Sequence, residues 1–177
     1  MVVVLKALIV VDYQVDFVNG ALGFEGAELL EPIILRKIQE TRDAGGKIIF
    51  TLDTHSADYL DTAEGKKLPI PHCIEGTDGH KLYGKVAESV DDRLDLVIKK
   101  HAFGSTELAV LLKKFAFDEV ELCGLVTDIC VVSNAIIAKA ALHEAKIIVD
   151  GSACSSADKL AHERALDVMR GVQIDVI

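Results

Sequence analysis

The chain has 177 residues, half of them apolar and about a quarter charged, with no tryptophan. That length predicts a single domain over residues 1–177, able to bury roughly 70% of its unfolded surface without staples. A net charge of −9, with the basic pairs Lys66-Lys67, Lys99-Lys100 and Lys113-Lys114 dispersed, argues against nucleic-acid or anionic-membrane partners, which need clustered cations.

The first apolar run, Val3–Val11, reads as a buried strand. The stretch from Met1 is too short to cross a bilayer, which takes roughly 18 residues. Lys6 interrupts it, Asp12 ends it and no small-residue cleavage site follows, so a cytoplasmic location is expected. Glu28–Ala44 carries Leu29, Leu30, Ile33, Ile34 and Ile38 at helical spacing, and Gly45-Gly46 ends that helix. Gly46–Leu52 is the second strand. From Asp53 to Val90 the chain is polar and rich in Gly, His and Pro, with a short helix over Lys81–Ser89; so long a loop is commonly functional. Strand Leu94–Lys99, helix Thr106–Phe115, strand Glu119–Cys123, helix Asp128–Glu144, strand Ile147–Val149, helix Ala157–Arg170 and strand Val172–Val176 complete the series. Short, β-branched-rich strands alternating with helices predict a three-layer, doubly wound α/β fold with a mostly parallel sheet of about six strands.

Ligands of such sheets bind at the carboxyl ends of the strands. Those ends carry Asp12, Asp53 with His55, Lys99-Lys100, and a strand-to-helix turn holding Cys130. Cys130 is the candidate nucleophile, because the positive end of a helix favours thiolate. Asp12 is the candidate general base, and a lysine is needed to steady two anions that otherwise repel one another. Cys73, Cys123 and Cys154 read as small buried hydrophobes; with no CxxC pair, neither disulfide nor redox motif is expected. Asp53 and His55 share one face of an extended segment, and Glu64 and His72 return from the long loop. Together they form a candidate site for a divalent metal, Zn²⁺ first, with Mn²⁺ or Fe²⁺ as alternatives. His80, His101, His143 and His162 are left as surface or helix residues.

The stretches Ala7-Leu-Ile-Val-Val-Asp12-Tyr-Gln14-Val-Asp16-Phe17, Lys100-His-Ala-Phe103 and Gly124-Leu-Val-Thr127-Asp128-Ile-Cys130-Val resemble the signatures of the isochorismatase-like cysteine hydrolases. Asp53-x-His55, Glu64, His72 and the run Ile74–Lys85 are similar to the nicotinamidase branch. The resemblance implies a triad of Asp12, Lys100 and Cys130. It also implies a cis peptide between Val126 and Thr127, with an oxyanion hole formed by the Val126 and Cys130 amides. It further implies a metal that orients the pyridine ring of nicotinamide, substrate contacts from Phe17, Phe103, Val126 and Thr127, and self-association into a homo-oligomer. Lys99 stands as the rival lysine, because the connection after Lys100 is shorter than in relatives; Lys100 keeps the Lys-x-x-aromatic spacing to Phe103. Leu68-Pro-Ile-Pro71 offers no aromatic where relatives often stack one on the ring. The alternatives are a metal-free hydrolase for another small amide, carbamoyl compound or vinyl ether, and a catalytically silent ligand-binding or scaffold domain.

Overall fold

A computed structural model describes residues 4–177. The first strand, β1 (Lys6–Val11), begins later than expected. Val3 lies outside the described residues, and Val4 and Leu5 are exposed. The strand starts where pairing starts: Lys6 opposes Glu119 and Ala7 opposes Lys47.

A short helix α1 (Val15–Val18) follows, then a 3₁₀ turn over Ala27–Leu30 and helix α2 (Glu31–Asp43). One helix over Glu28–Ala44 was expected, but Pro32 restricts the chain to entering the α-helix at its own first turn. Its missing N–H and its ring are tolerated there and not deeper in. Strand β2 (Lys47–Asp53), helix α3 (Gly84–Glu88), strand β3 (Leu96–Lys100) and helix α4 (Thr106–Phe115) come next. Strand β4 (Glu119–Leu125) leads through a π-type turn, Thr127–Val131, into α5 (Val132–Ala141). Strand β5 (Lys146–Ser155), helix α6 (Lys159–Gly171) and strand β6 (Asp175–Val176) end the chain. Strand β5 runs well past the expected Val149. Asp150-Gly-Ser reads as a stop, but Asp150 Oδ1 accepts the Ser152 amide, the chain bulges, and Cys154 and Ser155 resume pairing with Gly124 and Leu125.

All described strand pairs are parallel, in the order β3-β2-β1-β4-β5-β6. Right-handed crossovers then put α2 and α3 on one face and α4, α5 and α6 on the other, in keeping with which helices touch. Ile34 and Ile38 of α2, and Leu108, Leu112, Ala135, Ala138, Leu166 and Met169 of the opposite layer, close the core over β1, whose Leu8–Val11 are fully buried. The order in which strands are added reverses between β1 and β4, which makes their carboxyl ends the switch point where ligands bind. Gly124 sits there at φ +117°, and a Cβ on it would stand 2.1 Å from the Val11 carbonyl oxygen, so only glycine lets the two strands close up.

Candidate active site

Asp12 leaves β1 at the switch point with φ +44°, a left-handed conformation that Asp tolerates better than most residues. Its backbone N–H donates to Thr51, and the Thr51 hydroxyl donates to Asp12 Oδ1 at 2.6 Å, which fixes the carboxylate. Asp12 Oδ2 lies 2.6 Å from Lys100 Nζ and, among the described residues, takes no aligned hydrogen bond, leaving a lone pair for an incoming proton.

Strand alternation decides between the two lysines. Lys99 points away and pairs with exposed Glu75 at 2.5 Å. Lys100 is buried; its ammonium donates to Asp53 Oδ1 at 3.0 Å and to the Ala102 carbonyl at 3.1 Å, and it lies 3.5 Å from Cys130 Sγ. The three strand tips therefore meet.

The helix start, expected to favour thiolate, does not decide the charge state of Cys130. Burial, then the negative charge of Asp12, raises the Cys130 thiol well above its ordinary value, and Lys100 only partly opposes this. Burial, aided by the charge of Asp53, also raises Asp12 despite the attraction of Lys100. Lys100 stays charged: burial disfavours the ammonium, but Asp12, Cys130 and Asp53 outweigh it. Cys130 is buried within the π-type turn, so the helix-end field loses to desolvation. What results is a neutral thiol beside a carboxylate that is more basic than usual.

The backbone also departs from the expectation. The non-proline cis peptide joins Leu125 to Val126, at the last residue of β4, one bond earlier than Val126–Thr127. The Val126 carbonyl then accepts the Ile129 and Val131 amides.

Beside the triad, Asp53, His55, Glu64 and His72 place one ligand atom each within 4.8 Å of one another. Asp53 Oδ2 is 3.0 Å from His55 Nε2 and 3.4 Å from His72 Nε2, and Glu64 Oε1 stands 3.6 and 3.7 Å from the same nitrogens. His72 Nδ1 donates to the Ile70 carbonyl at 2.8 Å, which aims Nε2 at the group. Two imidazoles and two carboxylates, mostly buried, form a donor set that fits a divalent ion of borderline softness.

The remaining candidates divide. Phe103 is exposed and, with Ala63, Ala102 and His101, lines an open pocket of about 360 Å³ that reaches His55 and Glu64. Phe17 is buried against His72, with ring centroids 5.6 Å apart. Thr127 is buried, and its hydroxyl is engaged by His162 Nδ1 at 2.8 Å; His162 is thus a helix residue that touches the turn carrying Cys130. His80 is not a surface residue: it is buried, with Nε2 2.9 Å from the Thr54 hydroxyl. His101 and His143 are exposed. All four cysteines are free and buried. Thr51 and Gln14 were missed as site residues. Gln14 is buried and ties the end of β2 to the loop by bonding Asp53 N, Asp53 O and His80 O. Its place two residues after Asp12 in the first signature was the available signal.

A thiol, a carboxylate and an ammonium gathered at the switch point of a doubly wound parallel sheet form a site equipped for nucleophilic hydrolysis. The Isochorismatase domain model matches residues 6–177, and the chain belongs to the isochorismatase family of hydrolases. It is 28% identical to a nicotinamidase/pyrazinamidase of Mycobacterium tuberculosis, with 98% of each chain covered. Its fold superposes on a pyrazinamidase/nicotinamidase of Streptococcus mutans with TM-score 0.87 and 32% identity, covering 97% of this chain and 99% of that one. A pyrazinamidase of Pyrococcus horikoshii in complex with zinc gives TM-score 0.82 and 28% identity, with 97% and 98% covered. None of the described helices is long and apolar enough to cross a membrane.

Proposed function

We propose that this hydrolase converts nicotinamide to nicotinate and ammonia through a thioester on Cys130. The observation that carries the reading is one ammonium, Lys100 Nζ, in contact with Asp12, Asp53 and Cys130 at once, so that thiol, base and metal-type quartet share a wall. The relatives named nicotinamidase or pyrazinamidase support the substrate class.

Asp12 takes the thiol proton as Cys130 Sγ attacks the carboxamide carbon. The developing oxyanion is assigned to the Val126 and Cys130 amides. Asp12 returns the proton to the amide nitrogen, the C–N bond breaks and ammonia leaves. Water, deprotonated by the same carboxylate, attacks the thioester; the C–S bond breaks and the thiol regains its proton. Lys100 offsets the negative charge that moves between sulfur and carboxylate. Asp53, His55, Glu64 and His72 would hold Zn²⁺, which supplies a fixed positive anchor for the pyridine nitrogen, while Phe17 and Phe103 flank the ring.

The test is ammonia release from nicotinamide, with metal analysis of the purified protein. Turnover that is lost in Cys130→Ala with the fold intact supports the reading. Turnover that persists in that variant overturns the nucleophile. Hydrolysis of another small amide, carbamoyl compound or vinyl ether in place of nicotinamide overturns the substrate.

A further inference from the structure

The connection that presents Lys100 is short. Residues 101–105 must leave β3, place the Ala102 carbonyl on the Lys100 ammonium at 3.1 Å, and cap α4 through the Ser105 hydroxyl, which accepts the Leu108 amide at 3.0 Å. His101, Ala102 and Phe103 are exposed, and exposed loop backbone is the part of a fold most free to move. One buried side chain from another element holds it.

Asn134 lies one helical turn beyond Cys130 and is fully buried. Its Nδ2 donates to the Cys130 carbonyl at 2.8 Å and to the Phe103 carbonyl at 2.9 Å, and its Oδ1 accepts the Ser105 amide at 3.0 Å. Two acceptors at one end and a donor at the other fix the orientation of the amide. Asparagine is a poor helix former, so nothing in α5 itself favours it here. Nor does helix packing: Leu108 and Leu112 of α4 and Ala135 and Ala138 of α5 already supply buried apolar surface.

We propose that Asn134 is a positioning residue that clamps the Lys100–Ser105 connection to the nucleophile's helix and thereby sets the 3.5 Å separation of Lys100 Nζ and Cys130 Sγ. The linkage is continuous: Cys130 backbone, Asn134 amide, Phe103 and Ser105 backbone, Ala102 carbonyl, Lys100 ammonium. It rests on reading Cys130 as the nucleophile, but not on the identity of the amide. A lysine that drifts from the sulfur no longer offsets the charge formed during attack, so the loss falls on the chemical step and not on substrate binding.

Asn134→Thr separates the clamp from the helix contact. A threonine hydroxyl can still donate to the carbonyl four residues back, but it cannot reach Phe103 or Ser105. Asn134→Asp is the second variant, matched in size, with its carboxylate facing two carbonyl oxygens. Three measurements are made on the whole protein: thermal unfolding, kcat and KM for ammonia release, and the pH profile of Cys130 alkylation by iodoacetamide. Ile34→Ala, in the opposite helix layer, serves as a control for destabilisation. The expected result is a folded Asn134→Thr protein with kcat lower by about 10- to 100-fold, little change in KM, and a displaced alkylation profile. Ile34→Ala should lose thermal stability alone. A wild-type kcat and alkylation profile in Asn134→Thr overturns the proposal, as does a loss of activity that Ile34→Ala reproduces at equal stability. If the threonine variant does not fold, the same readings on Asn134→Asp decide in the same way. A wild-type Cys130 that iodoacetamide fails to alkylate even at the alkaline end of the profile sinks the nucleophile and this inference together. A reactive Cys130 in a protein inert to nicotinamide sinks only the substrate, and the alkylation profiles still decide the clamp.

Discussion

Asp53 turns one carboxylate oxygen to Lys100, with Oδ1 3.0 Å from Nζ, and keeps the other for the histidines, with Oδ2 3.0 Å from His55 Nε2. One side chain thus belongs to both centres. Burial opposes its ionisation, but the hydrogen bonds from His55 and His72 and the charge of Lys100 win, and Asp53 stays well below the usual carboxylate range. Asp53→Asn should therefore lower metal content and kcat together, whereas Glu64→Gln should affect mainly metal retention. Glu64 Oε1 stands 3.6 and 3.7 Å from the histidines and 3.5 Å from the Tyr59 hydroxyl, has no ion pair with Lys100 among the described residues, and is partly exposed. Because Asp53 is itself one of the four candidate ligands, a marked loss of metal from Asp53→Asn is expected, read by metal analysis after dialysis.

The two lysines offer an internal comparison. Lys100→Met leaves Asp12 and Asp53 buried without their shared cation, which should destabilise the fold by about 3–5 kcal/mol and abolish turnover. Lys99→Met removes only an exposed pair with Glu75 and should leave both stability and kcat nearly unchanged. Urea unfolding and ammonia release on both variants measure the contrast. Equal losses would mean that strand alternation has been misread.

The pH profile of kcat/KM follows from which groups must carry a proton. The proposed reaction needs Asp12 ionised and Cys130 protonated. Burial raises Asp12 above its ordinary 3.8, so the acid limb should lie above that value. Burial and the charge of Asp12 raise Cys130 well above 9.0, so no decline should appear at an ordinary thiol pKa. Lys100→Met, if residual activity allows measurement, should move the acid limb higher, because the lysine's attraction opposes the rise of Asp12. Ammonia release between about pH 4 and 10 tests this; a rate that climbs on a limb near 9 would point instead to a reactive thiolate.

Away from the site, a mostly buried cation joins two acidic side chains. Lys37 Nζ pairs with Glu121 at 2.6 Å and with Asp150 at 2.5 Å, at the bulge of β5. Burial opposes ionisation of Asp150, but the hydrogen bonds from Lys37 and Ser152 outweigh it, and its folded-state value falls below the ordinary 3.8. Its contribution is therefore complete above 3.8 and fades as pH drops through the lower folded value. Lys37→Met should cost about 1–3 kcal/mol near neutral pH, less than a fully buried pair because the trio keeps some contact with water, and progressively less in acid. Urea midpoints across that range give the answer.

How far the sequence carried depended on how local each signal was. The parallel sheet was legible because each strand is a short apolar run whose end is marked by a polar residue, as Asp12 marks β1. Asp12, Lys100 and Cys130 fall at strand tips, which topology alone brings together. The misses were tertiary. Asp150-Gly-Ser resembles a stop, and only pairing across to Gly124 and Leu125 shows the strand resuming. Helix α2 begins late because of Pro32, a signal present in the sequence but passed over. The neutral thiol reflects burial, which the position of Cys130 at a helix start does not reveal. His80 and Asn134 look like ordinary loop and helix residues until their hydrogen-bond partners, 26 and about 30 residues away, are seen.

Metal removal should separate ring recognition from bond cleavage. Stripping the protein with a strong chelator should leave the fold standing, because Asp53 keeps its hydrogen bond from His55 and its ion pair with Lys100, and His72 keeps the Ile70 carbonyl. The triad should survive as well, since none of the distances among Asp12, Lys100 and Cys130 passes through an ion. Cys130 alkylation by iodoacetamide should then proceed within a few-fold of the untreated rate, while ammonia release from nicotinamide falls sharply and returns on adding Zn²⁺ or Mn²⁺. Loss of alkylation together with turnover would mean that the quartet props up the triad instead of orienting the substrate. Unchanged turnover after verified metal loss would remove the metal from the reaction and favour a metal-free hydrolase of another small amide.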